Sequence, residues 1–209
     1  MVKLLLFFFF LEMFCIPQLS IAGDRTCVHG EDDCENKPGI MCSYINGVDV
    51  IYTGNFKDGE YNGEGELQYI GVRKYHGEFK DGKFHGYGTL TVYNKRKYEG
   101  YWEDGLESGH GTEIRPAGIQ YEGEWKKGKY NGHGTLTFHD GGKYIGQFTD
   151  GRIEGLGRYF YPDGSIYIGL FKDSKKNGFG ILVYPDGSQF MGEWKDGKPL
   201  KRKSSQKNI

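Results

Sequence analysis

From residue 52 onward, aromatic residues recur at one unvarying interval. Tyr52, Tyr75, Tyr98, Tyr121, Tyr144 and Tyr167 are each 23 residues apart, and Phe190 continues the series. A period of that length, held without insertion over seven starts, confines the chain to one architecture. It must be a repeat protein in which a single supersecondary unit stacks on copies of itself.

With the tyrosine as position 0, position 2 is glycine in all seven copies (Gly54 through Gly192) and position 4 is Phe or Trp, including all 3 tryptophans of the chain. Side chains at 0, 2 and 4 share one face of a strand. Positions 1, 3 and 5 are mostly polar, as in His76, Glu78 and Lys80. Positions 6 and 7 are Asp-Gly in five of seven copies, with Lys127-Gly128 and Asp173-Ser174 as the exceptions. Asp-Gly is a strong hairpin-turn signal. A second strand follows, with glycine at 11 and 13, an apolar residue at 15 and usually an aromatic at 17. A glycine at position 20 in copies three to six turns the chain into the next copy. The expected fold class is all-β: an elongated single antiparallel sheet of stacked 23-residue β-hairpins, about thirteen strands and roughly 60 Å long.

Composition explains how such a sheet holds together. Glycine contributes 35 of 209 residues and aromatics 16%. Rings on one strand need room, and glycines at 11 and 13 of the neighbouring strand are expected to leave bare backbone for them to cover. Burying a ring contributes roughly 1.5–3 kcal/mol, which outweighs the ~0.5–1 kcal/mol that a glycine costs inside a strand. The net charge of −1 argues against a strong overall pull toward nucleic acid.

The spacing Y-x-G-x-[FW]-x-D-G-x-x-x-G-x-G resembles the MORN (membrane occupation and recognition nexus) repeat. The match runs from Tyr52 to about Lys198, with starts at 52, 75, 98, 121, 144, 167 and 190. The resemblance implies an elongated twisted sheet and a scaffold role, binding proteins or membranes with no chemistry of its own. Copy three departs from the pattern: Glu113 takes the apolar position 15 and Arg115 the aromatic position 17. On a face only partly covered, this charged break is expected to be a tolerated lapse, with a bend or a binding spot as the alternatives.

Residues 1–22 read as a secretory signal, with Lys3, an apolar run of about 13 residues and Ser20-Ile21-Ala22 before Gly23. The run is shorter than the roughly 20 residues of a membrane span. A secreted or secretory-lumen address follows; without a true leader the chain is cytoplasmic or cytoskeletal. Residues 23–51 read as a degenerate capping repeat. Cys27 and Cys42 fall at repeat positions 0 and 15 and are the suggested disulfide, with Cys27–Cys34 and Cys34–Cys42 as alternatives. Residues 199–209 read as a basic disordered tail.

The glycine strings lack the strand-then-helix setting of a nucleotide loop. His110 and His133 lie about 10 Å apart by strand spacing, too far for one metal. No catalytic set, metal or cofactor is expected, and the chain reads as a non-enzyme. Three binding readings remain. The first is a protein scaffold that either engages a partner through a ring-lined groove at Tyr98, Trp102, Tyr121, Trp125, Tyr144 and Phe148, or pairs with itself through a terminal strand. The second is association with anionic lipid through Arg73, Lys74, Lys95, Arg96 and Lys97. The third is a carbohydrate surface of stacked rings.

Overall fold

The computed structural model describes residues 26–27 and 38–200, with side chains from residue 39. The expected leader, the bulk of the tail and the side chain of Cys27 lie outside the described residues.

Sixteen strands form one antiparallel sheet in strict chain order. The first three are β1 (Thr26–Cys27), β2 (Pro38–Ile45) and β3 (Val48–Lys57). Repeat hairpins follow as β4 (Glu60–Tyr69), β5 (Arg73–Lys80), β6 (Lys83–Val92), β7 (Arg96–Glu103) and β8 (Leu106–Ile114). Then come β9 (Gln120–Lys126), β10 (Lys129–Thr137), β11 (Lys143–Thr149), β12 (Arg152–Phe160), β13 (Ile166–Lys172), β14 (Lys175–Val183), β15 (Gln189–Lys195) and β16 (Lys198–Pro199). There are three more strands than the thirteen expected: β1 and β2 extend the sheet through the cap, with β1 paired to β2 and β2 to β3, and β16 pairs with β15 at the other end.

Each repeat is one hairpin, and every tip uses the same turn. Asp58, Asp81, Asp104, Asp150 and Asp196 have φ of 48–51°, and each is followed by a positive-φ glycine. This double left-handed turn matches the twist of the strands it joins. Both sequence exceptions adopt it, with Lys127 at φ 50° and Ser174 at φ 61°. A lysine gains none of the local hydrogen bonding that lets Asn or Asp tolerate that region. Lys127→Asn is therefore expected to raise stability by about 0.5–1 kcal/mol in urea titration. A neutral result would mean the tip is strained elsewhere. The other edge turns differently in the two halves. Gly118, Gly141, Gly164 and Gly187 carry the positive φ at position 20, whereas copies one and two move it to position 19, at Gly71 and Asn94.

One face carries the entire core. The six tyrosines are 0–1% exposed, although only one layer of backbone lies beneath them. Their rings lie flat on the glycines. Gly54 pairs with Gly65, Gly65 with Gly77 and Gly77 with Gly88, and this row runs from Gly39 to Gly192 across the sheet. A Cβ built on Gly111 would sit 2.3 Å from the Tyr98 hydroxyl. The glycines at 2 and 13 are therefore the floor.

Position 11 does something else. Its six glycines have φ of 55–82° and sit at a register shift inside each hairpin. This corrects the expectation that they are a flat floor: they are bulge glycines, required by conformation. Above the floor each tyrosine meets two position-4 rings edge to face, its own and the next copy's. Tyr98, for example, lies 5.0 Å from Trp102 and 4.9 Å from Trp125. Each hydroxyl donates to the carbonyl three residues on, as Tyr98 does to Tyr101 at 2.9 Å.

Candidate functional site

The six central rings expected to line a groove are spent on this core. Tyr98, Tyr121 and Tyr144 are 0% exposed, and Trp102, Trp125 and Phe148 are 3–5% exposed. Trp102 and Trp125 also donate their indole N–H to the carbonyls of Gly88 and Gly111, both at 3.1 Å. The structure thus leaves these side chains almost no surface for a partner.

Two copies depart from the pattern on the ring face: copy six, where Lys176 takes position 9 and lies over Trp194 at 4.1 Å, and copy three. Position 9, one pleat before the bulge, carries Tyr61, Phe84 and Tyr130 in copies one, two and four, each stacked on its tyrosine at 3.7–3.8 Å. In copy three this position is Glu107. Beside it, Glu113 stands between Tyr98 and Tyr121 and is fully buried. Arg96 bridges the two, with Nη2 2.5 Å from Glu107 and Nη1 2.9 Å from Glu113. Glu113 also accepts from Tyr130 at 2.5 Å and pairs with Arg115 at 2.8 Å. The expected lapse is in fact a closed network of two carboxylates and two guanidiniums.

Burial by itself would raise the Glu113 pKa. Hydrogen bonds from Tyr130, Arg96 and Arg115 outweigh it and hold the group below its ordinary 4.5. A depressed carboxylate adds stability that is fully present above the unfolded value and is lost as pH falls through the folded one. Stability is expected to decline as pH drops below 4.5, and Glu113→Gln is expected to flatten that acid limb. Equal limbs in urea melts at stepped pH would refute the assignment.

The five basic edge residues do not form one patch. Arg73 and Arg96 project to the ring face, while Lys74 and Lys97 project to the other. Arg73 lies over Tyr69 at 4.2 Å. Lys74 pairs with Glu66 at 2.8 Å, and Lys97 pairs with Glu99 at 3.1 Å. Lys95 sits exposed in the turn before β7.

The second face is not covered by any described residue. Over β7–β11 it is polar, with rows such as Glu99, Thr112, Glu122 and Thr135. His110 and His133 are on it, and His133 stands 3.8 Å from Glu124. Over β11–β15 the same positions turn apolar. One row holds Phe160, Ile166 and Val183. The next holds Ile145, Ile168, Ile181 and Met191, interrupted by Arg158. The third holds Leu156, Leu170 and Phe179. Ten of the fifteen side chains in these three rows are apolar. Only three are in the matching rows of β7–β11: Ile114, Tyr101 and Ile145. Leu156 is 60% exposed, Phe179 55% and Met191 50%.

Among the described residues no group of three or more His, Cys, Asp or Glu is placed to hold a metal ion. A family model for the MORN repeat matches residues 52–70, 75–94, 98–120, 121–143, 144–166, 167–189 and 190–199. The chain belongs to the MORN repeat family. MORN repeats are generally binding or scaffold modules without catalysis. No curated protein matches the chain.

Within the MORN array two features escaped the sequence reading. The position-9 stack was open to it, since Tyr61, Phe84 and Tyr130 recur 23 or 46 residues apart. The apolar second face was open as well. IYIGLF and GFGILV carry apolar residues at both strand parities, as strands covered on both sides do.

Proposed function

We propose that this MORN protein is a non-catalytic scaffold that engages a protein partner along its sheet. What carries the reading is the asymmetry of the sheet: one face is consumed by its own rings, and the other runs the length of the array with no covering layer among the described residues. A partner layer is what a half-covered sheet of this kind lacks. Self-pairing through a terminal strand has less support, since the last strand, β16, is two residues long and short edge strands discourage edge-to-edge pairing. The anionic-lipid reading also has less, because carboxylates already pair Lys74, Arg96 and Lys97.

The test is affinity capture with the full chain at low and high salt. Retention of one stoichiometric protein at high salt is expected. Salt-sensitive vesicle binding, lost when Arg73, Lys74 and Lys95 to Lys97 become Ala, would replace the scaffold with a lipid adaptor. We further propose a secretory location, with a mature start at Gly23 and a Cys27–Cys42 disulfide closing the cap. In support, β1, which carries Cys27, pairs with β2, which carries Cys42. N-terminal sequencing and a disulfide map check both: an intact Met1 in the cytosol refutes the first, and a bridge through Cys34 the second.

A further inference from the structure

We propose that the apolar field on the second face of β11–β15 is a docking site for an acidic amphipathic helix of a protein partner. The inference rests on the scaffold reading and names the partner's chemistry.

The field is continuous. Leu156 stands opposite Leu170, Ile168 opposite Ile181, and Ile181 opposite Met191. All lie on the face opposite the tyrosine core, so none serves the core of this chain. Aliphatic side chains at both parities cost solubility unless a second layer covers them. Four inter-strand steps of about 4.8 Å give a field roughly 20 Å wide. That accommodates one helix about 10 Å thick and about 13 residues long.

Charge selects the occupant. Lys143, Lys172, Lys175, Lys195 and Lys198 flank the field, and among the described residues none of the five forms a salt bridge. Most acids of that border, by contrast, are engaged: Asp150 pairs with Lys129, Asp173 with Arg152, and Glu154 accepts from the Asp173 N–H, leaving Asp196 at a turn tip. Arg158 stands inside it, opposite Ile145 and Ile168. Glu193 is the one acid in the three rows. A helix with an aliphatic stripe and glutamates on its shoulders meets both features. A second copy of this chain would bring lysine border against lysine border. A membrane would have to take in Arg158 and Glu193 at the same height as the leucines.

The experiment uses the full chain and two labelled helical peptides that share one leucine stripe. One carries glutamates on its shoulders and the other lysines. Fluorescence anisotropy is expected to give saturable binding of the glutamate peptide, at least tenfold tighter than the lysine peptide. The shifts in methyl spectra should fall on Ile168, Leu170 and Ile181. The triple variant Leu156→Ser, Leu170→Ser, Phe179→Ser should weaken binding at least tenfold. These side chains are exposed, and an unchanged circular dichroism spectrum would show the sheet intact. Equal binding of the two peptides, or shifts elsewhere, would overturn the proposal. So would anionic-vesicle binding or dimerisation that the triple variant abolishes, since the field would then belong to a membrane or a second copy. If the natural partner is captured equally by wild type and triple variant, this site fails while the scaffold reading stands. If wild type captures no protein at all, the scaffold reading itself fails.

Discussion

Gly88→Ala is expected to cost about 3–5 kcal/mol, out of proportion to one methyl group. The new Cβ would stand 2.3 Å from the Tyr75 hydroxyl and 2.6–2.8 Å from its ring. Tyr75 has nowhere to go. It is stacked on Phe84 at 3.7 Å, and Phe79 and Trp102 close on its edges at 5.0 and 5.4 Å. The methyl must therefore expel the ring or part the strands, and losing a buried aromatic costs about 3–5 kcal/mol. Gly59→Ala is the control. No atom lies within 4 Å of its Cβ, and only the φ of +76° opposes it, for roughly 1–2 kcal/mol. Each copy touches mainly its neighbours, so hydrogen exchange should locate the Gly88→Ala damage in copies one to three. Equal costs for the two variants in denaturant melts would refute the glycine floor.

Arg96→Ala is expected to cost about 3–5 kcal/mol, because it strands carboxylates in the core. Glu107 is 5% exposed and loses its charged partner, while Glu113 keeps only Tyr130 and Arg115. Rebuilding the site as copy four builds it should have the opposite sign. Glu107→Tyr with Glu113→Leu installs the counterparts of Tyr130 and Leu136 and leaves Arg96 placed as Arg73 is. Replacing a buried ionic cluster with packed apolar groups ranges from neutral to about 1–4 kcal/mol stabilising. Urea melts of the two variants decide the matter. A cost below about 1 kcal/mol for Arg96→Ala would mean that solvent already screens the network.

The contrast between these two sites shows what could be read in advance. Gly88 was legible because it recurs: every copy repeats the Tyr, Gly and ring spacing, and alternation along a strand puts all three on one face. Even so, the two second-strand glycines could not be told apart by spacing. Gly86 and Gly88 are two residues apart, yet one serves a bulge at φ +55° and the other lies beneath a ring. The bulge arises only when two strands pair. The Arg96 network was not legible, because its members stand 2 to 34 positions apart across three turns and three copies, and nothing in the repeat predicts that lone charges will meet.

The sequence by itself determined the hairpin unit, its tip turn, the number of copies and the chain-order stacking. All of these follow from local backbone preferences and a fixed period. Only the tertiary structure decided which surfaces are spent and which are free. The rings that looked available are sealed, because each is covered by the next copy's position-4 ring, a contact between residues 27 apart, as between Tyr98 and Trp125. The face that looked merely polar becomes apolar at one end, because register aligns side chains from five strands into a single field. Burial belongs to the packed sheet, and a single copy of the repeat does not contain it.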